Sequence, residues 1–249
     1  DEPAASRAAA VVAIADRLDT LVGCFAIGLF PTGTADPFAL RRATLGILRT
    51  LAAHGVDLSL AELARLSYGG FTDKKLDLDE DKLVHKVSEF AQERLRGLLS
   101  EQWAPDAVRA CLAVGHDRPR DLARRVAAVA GLDAETRAKV GEVFKRATNI
   151  ASQADPGEPA PPPSSAHASE LALFEAYRTF SARADDLARD GDYAGLLAEV
   201  ARIAPAMQQY FLDVFVMDED LAVRRERLRL MRAISERCSK VAQLELLGA

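Results

Sequence analysis

The sequence predicts an all-α protein, and three observations carry that expectation. Alanine, leucine, arginine and glutamate dominate, and such side chains lose little rotamer freedom in a helix. Runs of β-branched residues with period-two alternation are nearly absent, so a sheet would have little to be built from. Apolar residues recur at three-, four- and seven-residue steps, as in Leu221, Leu228, Met231, Ile234, Cys238 and Val241. With 49% hydrophobic residues in 249, there is ample material for the buried cores of one large or two modest domains.

Taken in order, Ser6 caps a first helix to about Leu29, with Val12, Ile14, Leu18, Leu21, Val22 and Phe25 at core spacings. Pro31 and Gly33 end it, and Asp36-Pro37 restarts a helix that runs to about His54-Gly55. Leu45, Leu48 and Leu51 bury one side of it, and Gly46 permits a close neighbour. A short helix over Leu60–Leu66 stops at Tyr68-Gly69-Gly70. The acidic run Asp77, Asp79, Glu80, Asp81 precedes a helix from about Lys82 to Gln102. Lys82 and Ser88 stand where a calcium loop needs glycine and glutamate, so the carboxylates are expected to favour a helix N-terminus instead. Helices over about 105–114, 119–130 and 134–151 follow.

The stretch DPGEPAPPPSSAHAS, residues 155–169, is expected to be an interdomain linker. Beyond it, a helix from about Ser169 to Asp190 is closed by Gly191, and Asp192 caps the next. Pro205 is expected to begin a further helix, and Asp218-Glu219-Asp220 a last long one to about Leu247.

The net charge of −5 argues against a generically basic nucleic-acid coat while leaving room for a local basic face. Cys24, Cys111 and Cys238 are odd in number and far apart, which fits a reducing cytosol better than a disulfide framework. The longest apolar run, Leu21–Phe30, is far short of a membrane span, and no secretory signal precedes it. No catalytic or metal residue is expected. The four histidines lack zinc-site spacing, and no phosphate-cradling glycine loop or nucleophile elbow occurs.

Positive charge gathers in two places. Between Leu221 and Lys240, seven basic residues face two glutamates, and Arg225, Arg229 and Arg232 fall on the side away from Leu228 and Met231. Such a guanidinium row can bind phosphates in a fork and stack on bases, or can simply be a solvated face. Lys145, Arg146 and Asn149 make a smaller group before the linker.

Three blocks in order resemble the C-terminal part of the bacterial glycyl-tRNA synthetase β subunit. They are ADRLDTLVGCFAIGLFPTGTADPFALRRATLGILRT (residues 15–50), FKRATNIA (144–151) and YFLDVFVMDEDLAVRRERLRLM (210–231). Leu212, Phe215 and Glu226 depart from the pattern, which has Asp, Met and Asn there. The resemblance implies that residues 1–50 end an HD-like region and 51–154 form a helical connecting body. After the linker, 170–249 would be a DALR-type anticodon-binding helical bundle.

It also implies a cytoplasmic α2β2 tetramer that attaches glycine to its tRNA, with no membrane contact. The α subunit would use ATP and magnesium, and this segment would hold no cofactor and do no chemistry. The partners expected are glycine tRNA and the α subunit. The tRNA-binding residues expected are Arg224, Arg225, Arg227, Arg229, Arg232, Lys145, Arg146 and Asn149. The anticodon of glycine tRNA ends in two cytosines, whose acceptors call for arginine or similar donors. Tyr177, Phe180, Tyr193 and Tyr210 could stack on bases but are expected mainly to fill the core.

Two other readings stand beside this one. Asp16 and Asp19, one turn apart, resemble the last ligand helix of HD-type metal phosphohydrolases. His116-Asp117 is the one His-Asp dipeptide and falls on the wrong side of them. Alternatively, the arginine helix could be a scaffold that packs on an acidic neighbouring subunit. Arg41 and Arg42 are expected to be structural or interdomain, with a secondary role on the tRNA backbone left open.

Overall fold

The computed structural model describes residues 5–33, 35–71 and 73–248. Among these residues the chain forms ten α-helices and two short 3-10 turns, and its one β-type pairing is an isolated bridge between Thr32 and Ala35. The fold is all-α, as the composition predicts. Two compact units form, Asp1–Gln102 with Gly115–Ala123 and Trp103–Val114 with Arg124–Ala249.

The first unit is built on α1 (Arg7–Ala26), α2 (Leu40–Ala53), α3 (Leu60–Tyr68) and α4 (Glu80–Ser100). The Ser6 hydroxyl accepts from the Ala9 amide and starts α1. Leu21, Val22, Phe25 and Ala26 line its buried stripe against α2, α3 and α4. Phe25 meets Phe30 and Phe90 edge-on, at 4.8 and 5.2 Å between ring centroids. Gly46 in α2 does permit a close neighbour: a Cβ there would lie 2.5 Å from Arg17 Nε of α1.

Helix α2 starts later than Asp36-Pro37 suggested. Ala39 precedes the first turn in the left-handed region (φ 54°), so Pro37 and Phe38 belong to a turn. Asp36 still caps, its carboxylate accepting from the Leu40 and Arg41 amides at 2.7 and 3.0 Å. Asp79 accepts from the Lys82 amide at 2.9 Å and opens α4, the role expected of the acidic run. Arg41 donates to the Gly33 and Ala35 carbonyls, which makes it a brace for the preceding turn.

The second unit contains α5 (Pro105–Val114), the end of α6 (Pro119–Ala130), α7 (Ala134–Ala151), α8 (Ala168–Asp190), α9 (Tyr193–Asp213) and α10 (Leu221–Cys238). Helix α9 runs unbroken through Pro205, where the sequence suggested a new start. A proline inside a helix removes one hydrogen bond and costs about 3 kcal/mol. Leu197, Val200, Ile203, Met207, Tyr210 and Phe211 are all buried along the same helix, each contributing roughly 1.5–3 kcal/mol, and outweigh that cost.

Helix α10 ends at Cys238, about nine residues before the expected stop. The chain turns so that Val241, Leu244 and Leu247 are buried, and the Gln243 amide donates to the Ala110 carbonyl at 2.9 Å. The 3-10 turn Leu244–Leu246 packs on α7 and α5.

The expected domain limits at 50, 154 and 170 differ from these units. The second unit takes in α5, α7 and the whole proline-rich stretch, of which Pro159 and Ser169 are buried.

Candidate nucleic-acid interface

Asp220 opens α10 by accepting from the Ala222 and Val223 amides. The arginines of this helix are engaged with the protein itself. Arg227 is nearly buried and makes a forked pair with buried Glu170 of α8, Nε to Oε1 at 2.8 Å and a terminal nitrogen to Oε2 at 2.7 Å. Its remaining terminal nitrogen donates to Asp218 at 2.8 Å and to the Phe215 carbonyl at 3.0 Å. Arg224 donates to the Asp218 carbonyl at 2.7 Å. Glu226 accepts from both Arg225 and Arg229, and Glu236 from Arg232. The expected guanidinium row is therefore engaged along its length, with Arg225 and Arg229 sharing Glu226 and Arg232 on Glu236. Of the five arginines assigned to tRNA, Arg225 keeps the most exposure, 53% of its side chain.

The proline-rich stretch explains why. Arg232 donates to the Ala154 carbonyl at 3.0 Å, and the Ala160 amide donates to Glu226 at 2.8 Å. Arg237 donates to Glu158 at 3.0 Å, Tyr177 donates to the same carboxylate, and Pro159 is buried. Residues 154–160 thus form a strap across α10. An apolar cleft of about 210 Å³ remains where Pro161, Pro162 and Phe174 face Val223 and Leu230. The strap segment has no hydrophobic periodicity of its own, so composition alone suggested a linker, whereas its charged partners lie some 70 residues downstream.

Tyr177 and Arg237 hold Glu158 below the ordinary carboxylate range, and Lys240 then Arg237 do the same for Asp185 on α8. A depressed folded-state value means that the stabilisation is present at neutral pH and lost as pH falls through it. Denaturant melts are therefore expected to show stability dropping below about pH 4.5. A Glu158→Gln, Asp185→Asn variant, less stable at neutral pH, should show a shallower fall.

Helix α7 presents a different surface. Its start is capped by Asp133, which accepts from the Thr136 amide. Val140, Val143, Phe144 and Ala147 are buried, which turns Lys145, Arg146 and Asn149 outward. Lys145 makes no ion pair among the described residues, and Arg146 lies over the Phe211 ring at 4.5 Å. The smaller basic group is thus more open than the larger one.

Tyr177, Phe180, Tyr193 and Tyr210 are all core residues, as expected. Burial, with Glu170 nearby, raises the Tyr210 phenol, whose hydroxyl has no hydrogen-bond partner. The most exposed aromatic among the described residues is Phe215, 76% exposed, a residue the sequence marked only as a departure from a pattern; Phe38 and Phe30 in the first unit are 49% and 39% exposed. The sequence carries no signal for it, since Val214, Phe215 and Val216 are all apolar and only their burial in the structure separates them.

Asp16 and Asp19 are exposed on α1, and no group of three or more His, Cys, Asp or Glu side chains suited to a metal occurs among the described residues. The His116-Asp117 pair has a structural use. Asp117 accepts from the Ala61 amide at 2.8 Å at the start of α3, and His116 Nε2 meets Ser88 Oγ at 2.9 Å.

Helical units joined to an anticodon-binding bundle define a class of protein, and residues 138–248 match the DALR anticodon binding domain. Residues 1–113 match the family described as glycyl-tRNA synthetase beta subunit. The glycine–tRNA ligase beta subunit of Neisseria meningitidis serogroup B is 37% identical over 242 residues, 96% of this chain and 34% of that protein. That of Anaeromyxobacter dehalogenans is 37% identical over 245 residues, 96% of this chain and 35% of the relative. That of Nitratidesulfovibrio vulgaris is 34% identical over 246 residues, 95% and 35%. The chain belongs to the glycyl-tRNA synthetase β-subunit family, and it spans about a third of the length of the curated relatives it matches. The DALR match begins within α7, upstream of the proline-rich stretch, so it includes the strap and the open basic group.

Proposed function

We propose that this chain is the tRNA-holding part of a glycyl-tRNA synthetase β subunit and that its second unit grips the anticodon loop of glycine tRNA. The observation that carries the reading is the overlap of the DALR match with α7–α10, where Lys145, Arg146 and Asn149 stand open. Cations on a helix face hold phosphates and set the register of a bound strand, while sequence is read by groups that reach the bases.

In the same proposal the α subunit is the partner, in an α2β2 tetramer in the cytoplasm. Glycine activation with ATP and magnesium belongs to that subunit, and this segment needs no cofactor. The α10 arginines act mainly by holding the strap and the turn before the helix, with Arg225 left as the one most able to reach a phosphate.

Filter binding of glycine tRNA by the 249-residue chain across a salt series tests this. Each phosphate contact contributes close to one unit to the slope of log affinity against log salt. Lys145→Glu with Arg146→Glu is expected to weaken binding and lower the slope by about two units, with the melting curve recorded alongside. Salt-insensitive binding, or an unchanged slope, would remove α7 from the interface.

A further inference from the structure

Phe215 stands out among the exposed apolar residues because it is held in place rather than merely left outside. Single exposed hydrophobics are ordinary on a protein surface. Here the backbone after α9 is extended at Val214 (φ −121°, ψ 127°), and alternate side chains point to opposite sides. Val214 and Val216 are 6% and 4% exposed, so the core fixes both neighbours and Phe215 is turned to solvent.

Its carbonyl accepts from Arg227 at 3.0 Å, and the Arg227 guanidinium is fixed by the fork to Glu170 and by Asp218. A buried ion pair thus clamps the backbone of an exposed ring. Open cations lie on α7, where Arg146 sits over Phe211, four residues earlier in the chain, and on α10, where Arg225 is 53% exposed. The acidic side chains of this turn are mostly engaged: Asp213 accepts from Gln209, Asp218 from Arg227, and Asp220 caps α10. Glu219 is exposed.

We infer that Phe215 is a stacking platform for an unpaired base of single-stranded RNA, with Arg227 as its positioning residue and Lys145 and Arg146 holding the adjoining phosphates. The inference rests on the proposed tRNA-binding role and names the group that would meet a base. Every base has a π-face, so an exposed aromatic on a held backbone, in a unit that also carries open cations, suits an unstacked loop nucleotide. With its backbone already held, Phe215 loses less conformational freedom when the RNA arrives than a residue of a loose loop would.

The test is a substitution series in the 249-residue chain, with the isolated anticodon stem-loop of glycine tRNA as the probe. Wild-type binding is measured first, and its absence would defeat the tRNA-binding reading and this inference together. With wild-type binding in hand, Phe215→Ala and Phe215→Leu are both expected to weaken it by roughly five- to a hundredfold, the worth of one base stack. Phe215→Trp should bind about as well as wild type, its indole fluorescence quenched on RNA addition relative to a Trp103→Phe background. The exposed position makes all three variants safe for folding. Unchanged affinity in Phe215→Ala would overturn the inference and leave the tRNA-binding reading standing. Full binding by Phe215→Leu would also overturn it, since an aliphatic contact suffices at a protein-docking surface but cannot replace a ring in a stack.

Discussion

Gly141→Ala is expected to destabilise the protein even though alanine is the better helix former. In an open helix interior the exchange gains about 0.5–1 kcal/mol. At Gly141 the added Cβ would lie 2.4 Å from the Leu247 carbonyl oxygen and 3.1 Å from its carbon. Both are backbone atoms, so no side chain can swing aside. The segment after α10 must move off α7, and with it Leu244 and Leu247, which are 1% and 4% exposed. Overpacking of this kind costs about 1–3 kcal/mol. Gly97→Ala is the control, because α4 has nothing within 4 Å of that position. Urea melts should show the two variants shifted in opposite directions, Gly141→Ala to lower and Gly97→Ala to higher midpoint.

Arg227→Ala is expected to be the more damaging change. It leaves Glu170, 8% exposed at its side chain, without its charge partner and removes the brace on the Phe215 carbonyl. Breaking a buried pair by removing one member costs about 3–5 kcal/mol. For a chain of this size that is a fall in Tm on the order of 10 °C. The paired variant Arg227→Met with Glu170→Leu should recover most of the stability, because apolar residues of similar volume can replace a buried ion pair at little cost. It does not restore the clamp on Phe215. Melting and RNA binding should therefore part company in the double variant, with stability regained and affinity still reduced. Recovery of both would make Arg227 a structural residue only.

The sequence was readable where a signal was local. Helix starts at Ser6, Asp79, Asp133, Asp192 and Asp220 follow from a side chain that reaches an amide two or three residues away. The stripe on α10 from Leu228 to Cys238 and the burial of Tyr177, Phe180, Tyr193 and Tyr210 follow from spacing and size, whereas Leu221, expected at the head of the stripe, is 72% exposed. Pro205 misled because the local penalty is a property of one residue, while the burial that outweighs it is spread along the helix. The end of α10 was missed for a related reason: Leu244 and Leu247 continue a helical spacing, but their burial sites are provided by α5 and α7.

The candidate site was half legible. That α10 carries many arginines is plain in the sequence, but their partners Glu170, Glu158 and the Ala154 carbonyl lie 57 to 79 residues away. Glu226 and Glu236, on the helix itself, pair with Arg225, Arg229 and Arg232, whereas the carboxylates that hold Arg227 and Arg237 are distant in sequence. On α7, Lys145, Arg146 and Asn149 stood out in the sequence only as a small group before the proline-rich stretch; the burial of Val140, Val143, Phe144 and Ala147 is what turns them outward. Phe215 was passed over because a hydrophobic residue between two valines reads as core. Only the extended backbone at the end of α9 shows that it is turned the other way.

Anticodon reading by the second unit is tested most directly by comparing two transcripts on the same chain: glycine tRNA, and the same tRNA with both anticodon cytosines replaced by purines. A reader that contacts those bases loses hydrogen bonds or stacking worth at least about 1–3 kcal/mol, so the altered transcript is expected to bind roughly tenfold or more weakly. Equal affinity for the two, at matched salt, would contradict anticodon recognition by this chain and leave it as a binder of RNA backbone alone.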